Sequence, residues 1–264
     1  VAVGVLLSPL GFGPSETKLN AELVQITAEF ALIIILFSDA AALNLRKLRH
    51  EWSIPVRLLF VSLPITVIAA TLIAKQFFPG ETTVYLLLMA LILAPTDAAL
   101  GKAVVTDKTV PEKIRSSINV ESGLNDGIVL PVLLTVVAMI ISGQEHAQDN
   151  SWIGYVAQQI TYGAIIGSVV GYIGARLSLK VIQKDWMEPN YHNLIPIALA
   201  ILSFYLAEYF GGNGFISAFF AGLFVGNYSE DFRHHIEDFA ESEGDLLIMI
   251  SFLVFGIAFI PPTF

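Results

Sequence analysis

Cysteine is absent from the chain, so neither a disulfide framework nor a thiolate metal site is available to it. Charge is scarce as well. Asp, Glu, Lys and Arg together make up 14% of the 264 residues, where a soluble domain carries about 25%. Apolar side chains take up the difference, at 55% of the sequence with a mean hydropathy of +0.70. This composition excludes an ordinary soluble domain. It points to an all-α polytopic membrane protein whose solvent, along most of the chain, is lipid. The net charge of -9 says little about partners until its distribution is known.

Windows of about 20 mostly apolar residues mark membrane helices. They predict a partial helix over 1–9 and helices over 21–43, 55–77, 83–103, 116–142, 152–180, 192–210, 213–228 and 244–260, about nine spans in a single transmembrane domain, 1–264. The sequence starts inside an apolar run without a methionine and stops at Pro261-Pro262-Thr263-Phe264 just after a span. Both ends are expected to be cut.

Lys and Arg set the orientation. If the first partial span leaves the cytoplasm, alternate connections face inward. These hold Arg46, Lys47, Arg49, Arg57, Lys102, Lys108, Lys113, Arg115, Arg176, Lys180, Lys184 and Arg233, all of the 14 basic residues except Lys18 and Lys75. The positive-inside rule then fixes the topology. "GQEHAQDN" at 143–150 faces out, and Trp52, Trp152, Trp186, Tyr155 and Tyr191 fall near span ends, where aromatic belts form. The acidic stretch at 227–245 faces in; Asp and Glu weigh little in topology. Phe232, Ile236 and Phe239 recur there at helical spacing, which predicts a short amphipathic segment over 229–243 at the interface. Its His234-His235 pair reads as part of a solvated polar face rather than a pH sensor.

Two spans carry small residues every four positions: Gly163, Gly167 and Gly171, then Gly214, Ala218, Gly222 and Gly226. Such ridges let helix backbones approach closely in lipid and predict a tight bundle. They carry no chemistry of their own.

Chemistry is expected where carboxylates enter the apolar spans. The 116–142 helix enters from the cytoplasm, so Asp126 lies ~15 Å deep at 1.5 Å per residue. Glu121 and Asn125 are four apart, as are Ser122 and Asp126, which places all four on one stripe. The preceding span enters from outside and brings Thr96 and Asp97 ~20 Å down, to a similar depth. A charge at mid-membrane costs ~2.5–3.5 kcal/mol on insertion scales and normally serves an ion or proton pathway. A polar network that merely ties two helices together is the bland alternative. The number of polar groups gathered at one depth favours function.

Pro95 strengthens that reading. A proline inside a helix removes a donor and frees carbonyl groups, and transporters aim such freed groups at a bound ion near the midplane. Pro95-Thr96-Asp97 therefore predicts a broken helix. Its oxygen ligands are hard and suit an alkali cation; with no Cys and no nearby His, zinc and copper are disfavoured. Asp39, on the cytoplasmic half of its span, is a further candidate. Glu29 reads as a mouth residue, and Glu208, at an outer helix end, as structural or snorkelling.

"APTDAALG" followed by "ESGLND", with Glu121 placed 25 residues after Thr96, resembles the sodium/proton antiporters of the cation:proton antiporter superfamily. The Asn125-Asp126 pair is similar to the branch that contains NhaP-type antiporters and the animal sodium/proton exchangers. "LFSDAAALNLRKLR" and "GFISAFFAGLFVGN" resemble that family's third and ninth helices, and the likeness spans essentially the whole chain. It implies an antiporter fold of inverted repeats with a second broken helix crossing the first. The second repeat would be incomplete here: the crossing helix, and the arginine that neutralises Glu121, are expected beyond Phe264, so that this stretch alone should not transport.

The resemblance also implies roles. Asp126 would bind either the proton or the cation, with Ser122 and Thr96 adding oxygens and Asp39 approaching from its own helix. Asn125 and Glu121 would brace the site, and Asp97 would stabilise the break beside Pro95. The family usually shows Thr-Asp-Pro, whereas here Pro95 precedes Thr96 and Ala98 follows Asp97. The implied activity is exchange of Na⁺, or of Li⁺ or K⁺, for H⁺, electroneutral and without enzymatic chemistry. Apart from the transported Na⁺ and H⁺ no cofactor is expected. The implied partners are alkali cations, protons, the lipid bilayer and a second copy in a homodimer, with no nucleic acid, and the implied location is a bacterial plasma membrane.

Rival classes fare less well. An intramembrane aspartyl protease needs Tyr-Asp and Gly-x-Gly-Asp, and neither occurs. A non-transporting sensor or regulatory subunit with a structural polar core would tolerate Asp126→Asn. A channel would pass ions without proton coupling, and a K⁺/H⁺ antiporter would share the same ligands.

Overall fold

The computed structural model describes residues 21–43, 45, 53–95, 107, 109–141, 151–188, 191–192, 194–228 and 245–258. The predicted partial helix 1–9, residues 96–103 of the predicted span 83–103, and the amphipathic segment 229–243 lie outside the described residues. Among the described residues the structure is helical throughout, with no strand.

Helix α1 covers Ala21–Ala42. A short α2, Ser53–Arg57, continues through a π-helical turn, Leu58–Ser62, into α3, Leu63–Phe77. The widened turn has a local cause. Pro64 has no N–H to give to the preceding turn and its ring crowds the carbonyl there, and the Leu63 N–H bonds back to the Leu58 carbonyl, five residues away. Hydrophobicity over 55–77 gives no sign of that change of register, and Pro64 is its local signal in the sequence.

After the turn that Lys75 Nζ closes on the Glu81 carbonyl, at 2.8 Å, α4 runs over Thr83–Leu93. Its last residues precede Pro95, which cannot continue a helical ladder. Helix α5 spans Glu112–Ile141 and α6 spans Ser151–Gln183. Then come α7, Leu194–Tyr209, α8, Gly214–Tyr228, and α9, Asp245–Ala258.

The glycine ridges decide how these helices meet. A Cβ on Gly163 would lie 2.7 Å from the Asn213 carbonyl oxygen, one on Gly167 would strike Ser217, and one on Gly171 would strike Ala221. Partners advance by four in the same order on both helices, so α6 and α8 run parallel with their backbones in contact. On its other side α8 sets Gly222 against the Phe37 carbonyl and Gly226 against the Ala41 carbonyl, again in parallel order. Between α6 and α8, α7 returns antiparallel: Ser217 Oγ donates to the Ser203 carbonyl at 2.7 Å, both residues fully buried.

Two packed groups result. Ile33 and Phe37 of α1, Val170 of α6, Leu199 and Phe204 of α7 and Val225 of α8 share one core. Val67 of α3, Ala90 and Leu91 of α4, and Val129 and Val136 of α5 form another. The groups adjoin where α5 packs on α1 and on α8.

Outward faces are apolar. Ile65, Ile68 and Leu72 on α3, and Ile165, Val169, Tyr172 and Ile173 on α6, opposite its glycine ridge, are all exposed. Segments Val24–Ala42, Ile54–Phe77 and Ala157–Gln183 are long and apolar enough to cross a membrane. Exposed side chains of this kind suit hydrocarbon rather than water.

Candidate cation site

The candidate site is built on α5. Asn125 is fully buried, and its amide Nδ2 donates to Glu121 Oε1 at 3.5 Å, one turn away. The four-residue spacing that placed the two on a common stripe thus becomes a side-chain contact, longer than an ordinary N–H···O hydrogen bond. Glu121 is only partly buried. Ser122 and Asp126 belong to the same two turns of α5, one turn apart along the backbone.

Helices that carry the other candidates pack against α5. One is α4, whose C-cap Ala94 leads directly into Pro95, partly buried. Thr96 and Asp97 lie outside the described residues. The other is α1, which carries Asp39 in its last turn. Phe37 and Ala41 face the glycines of α8. At 100° per residue Asp39 falls on the opposite side of α1, on the partly exposed stripe that also holds Leu32, Ile35 and Ala42. The fold therefore assembles the three helices that hold Asp39, Pro95 and the Glu121–Asp126 stretch.

Two residues on or against α1 escaped the reading of the sequence. Ser38 is 4% exposed and its hydroxyl has no hydrogen-bond partner among the described residues. A serine in an apolar helix ordinarily bonds back to its own preceding turn, as Ser168 does to the Ala164 carbonyl at 2.6 Å, so sequence gives no reason to single Ser38 out. Asn227 ends α8, and its side chain crosses to the end of α1. Nδ2 donates to the Leu43 carbonyl at 2.8 Å and to the Leu223 carbonyl of its own helix at 2.8 Å, while Oδ1 accepts from the Leu45 N–H at 2.9 Å. A lone Asn at the close of an apolar run was the available signal, and only the fold reveals its partner.

Glu208 is structural in a specific way: Oε1 accepts from the Gly214 N–H at 2.8 Å, at the start of α8. Asn213 Oδ1 accepts from the Ile216 N–H at 3.1 Å beside it. Both satisfy donors that the first turn of a helix leaves open.

The whole chain, residues 1–264, matches the family model described as sodium/hydrogen exchanger, transmembrane. Among curated proteins it is similar to the K⁺/H⁺ antiporter NhaP of Alkalimonas amylolytica, 26% identical over 98% of this chain and 44% of the relative. It is also similar to the Na⁺/H⁺ antiporter ApNhaP of Aphanothece halophytica, 26% identical over 85% of this chain and 42% of the relative. A Na⁺/H⁺ antiporter of Schizosaccharomyces pombe is 24% identical over 88% of this chain and 49% of the relative. The chain thus spans about half the length of these relatives. The family is one of transporters rather than enzymes, and the apolar helices of this chain support a multi-pass membrane protein. This chain belongs to the transmembrane sodium/hydrogen exchanger family.

Proposed function

We propose that the protein exchanges an alkali cation for a proton across the membrane by competition at Asp126. The observation that carries this reading is the fully buried Asn125 and its contact with the partly buried Glu121 on a helix packed against both α1 and α4. A polar stripe at that depth is expensive unless it faces a pathway. Deprotonated Asp126 holds the cation with oxygens from Ser122 and from Thr96 beyond the α4 break at Pro95. Asp39 approaches from α1, Asn125 and Glu121 brace the stripe, and Asp97 stabilises the broken helix.

Coupling follows from electrostatics. A carboxylate bearing neither ion is costly to carry past the hydrophobic barrier, so only the proton-loaded and cation-loaded forms cross. With Asn125 neutral, one carboxylate exchanges one cation for one proton, and the cycle moves no net charge. We propose the inverted-repeat antiporter architecture, a homodimer and a bacterial plasma membrane location on the strength of the family and its bacterial relatives. Beyond the transported ions no cofactor enters the scheme.

A K⁺/H⁺ exchanger is the second reading, favoured by the relatives named for potassium; oxygen ligands serve Na⁺, Li⁺ and K⁺ alike. The test is proton release from everted vesicles carrying the native full-length protein that contains this sequence, with Na⁺, Li⁺ and K⁺ added in turn. Release triggered by a cation and lost in Asp126→Ala supports exchange and names the ion. No release with any cation, from folded protein, means that the polar stripe is structural or regulatory.

A further inference from the structure

Asn227 lies outside the stripe just described, yet it makes two hydrogen bonds to the end of the helix that carries Asp39. Leu43 and Leu45 stand just past Ala42, where α1 closes. The Leu43 N–H bonds to the Ala40 carbonyl at 3.2 Å, three residues back, so the last turn is tightened beyond the α-helical register. Such an end has lost its regular ladder, and its orphan carbonyls and amides need outside partners. Asn227 supplies both kinds at once, a donor for the Leu43 carbonyl and an acceptor for the Leu45 N–H.

Asn227 is itself held. Its second amide hydrogen bonds the Leu223 carbonyl at 2.8 Å, on a helix whose Gly222 and Gly226 touch the α1 backbone at Phe37 and Ala41. Close backbone packing fixes the separation of α1 and α8. It also seats Ala41 of the final α1 turn, and the directional bonds of Asn227 extend that hold to Leu43 and Leu45. Asp39 lies in that turn, on the side of α1 that faces away from α8, so a small rotation there moves its carboxylate farther than it moves the seam.

We propose that Asn227 is a positioning residue for the cation site: its clamp on Leu43 and Leu45 holds the last turn of α1 so that Asp39 keeps its place. This rests on the reading that Asp39 takes part in cation binding. Losing the clamp weakens cation binding while leaving the turnover of saturated protein.

The experiment measures half-saturating cation concentration and maximal proton release for Asn227→Ala, Asp39→Asn and the double variant, in the native full-length protein. Asn227→Ala is expected to raise the half-saturating concentration about three- to tenfold, the scale of a lost directional hydrogen bond, at near-normal maximal rate. In the Asp39→Asn background the same change is expected to add nothing, because the two act through one group. An unchanged half-saturating concentration in folded Asn227→Ala, or an equal shift with and without Asp39, overturns the proposal. If wild type shows cation-triggered release but Asp39→Asn binds cation normally, the reading of Asp39 fails instead.

Asn227→Asp keeps the acceptor for Leu45 but sets a carboxylate oxygen against the Leu43 and Leu223 carbonyls; a shift at least as large as for Ala is expected, and an unchanged half-saturating concentration overturns the proposal. Hydrogen exchange in the unaltered protein reads the clamp without any variant. A slowly exchanging Leu45 amide is expected, and exchange at the rate of an open loop amide overturns it.

Discussion

Gly222 of α8 lies directly against the backbone carbonyl of Phe37 in α1, with no room for a methyl group between them. That contact joins the helix bearing Asp39 to the core of the α6–α8 group, and it makes the glycine irreplaceable for a steric reason. Gly222→Ala is expected to lower stability by about 1–3 kcal/mol, as overpacking does, read as a fall in thermal midpoint in detergent. Gly154→Ala is the control. A Cβ there meets nothing within 4 Å, so the helical preference of alanine, about 0.5–1 kcal/mol, should leave the midpoint level or higher. Equal losses at both sites would contradict the packing.

Among the described residues two helix ends close in the left-handed conformation, one on glycine and one on aspartate. Gly211 has φ 77, its N–H bonding to the Glu208 carbonyl and the Gly212 N–H to the Ala207 carbonyl at the end of α7. Asp185 has φ 51 and takes the same place after α6, with its N–H on the Ile182 carbonyl and the Trp186 N–H on the Val181 carbonyl. A side chain in this region costs about 1–2 kcal/mol, less for Asp. Gly211→Ala should therefore lower the thermal midpoint and Asp185→Gly should raise it; opposite signs would sink the assignment of these turns.

Before α5 the chain folds on Asp107. Thr109 donates its backbone N–H to Asp107 Oδ1 at 2.8 Å and its hydroxyl to the same oxygen at 2.8 Å. These bonds hold the carboxyl below its usual range, the backbone one most, with the Arg115 charge adding to them. A lowered folded value means that the charge stabilises above the unfolded pKa, and that this contribution fades as pH falls through the folded one. Wild type should exceed Asp107→Asn in thermal midpoint at pH 7 by a small margin that closes as pH drops below the ordinary carboxylate range. A gap that widens in acid would reverse the sign.

Placing a second carboxylate beside the first tests the charge count of the exchange. Asn125 is fully buried and touches Glu121, so Asn125→Asp adds a titratable charge inside the stripe. If one carboxylate accounts for neutral exchange, the variant should respond to an imposed membrane potential where wild type does not. Identical responses in the two would remove Asn125 from the account of neutrality.

Much of the fold was legible in the sequence because lipid imposes a coarse rule. Long apolar runs had to be helices, and α6, expected over 152–180, covers Ser151–Gln183. The ridges at Gly163 and Gly222 announced close packing, but spacing alone could not say that one faces α8 and the other α1. The π turn at Leu58–Ser62 was not read, since a change of register leaves hydrophobicity unaltered and Pro64 was the one local cue to it. At the site, the i, i+4 spacing of Glu121 and Asn125 was readable because both sit on one helix. The clamp from Asn227 to Leu43 joins residues 184 positions apart, and no local pattern encodes such a pairing.

In the proposed exchange a proton and a cation compete for Asp126. The most direct test is the half-saturating cation concentration of the native full-length protein as a function of pH. Competition for one carboxylate predicts a rise of about tenfold per pH unit on the acid side of the site's pKa, at constant maximal rate. A half-saturating concentration that stays level while the maximal rate falls would place the proton elsewhere and contradict the account.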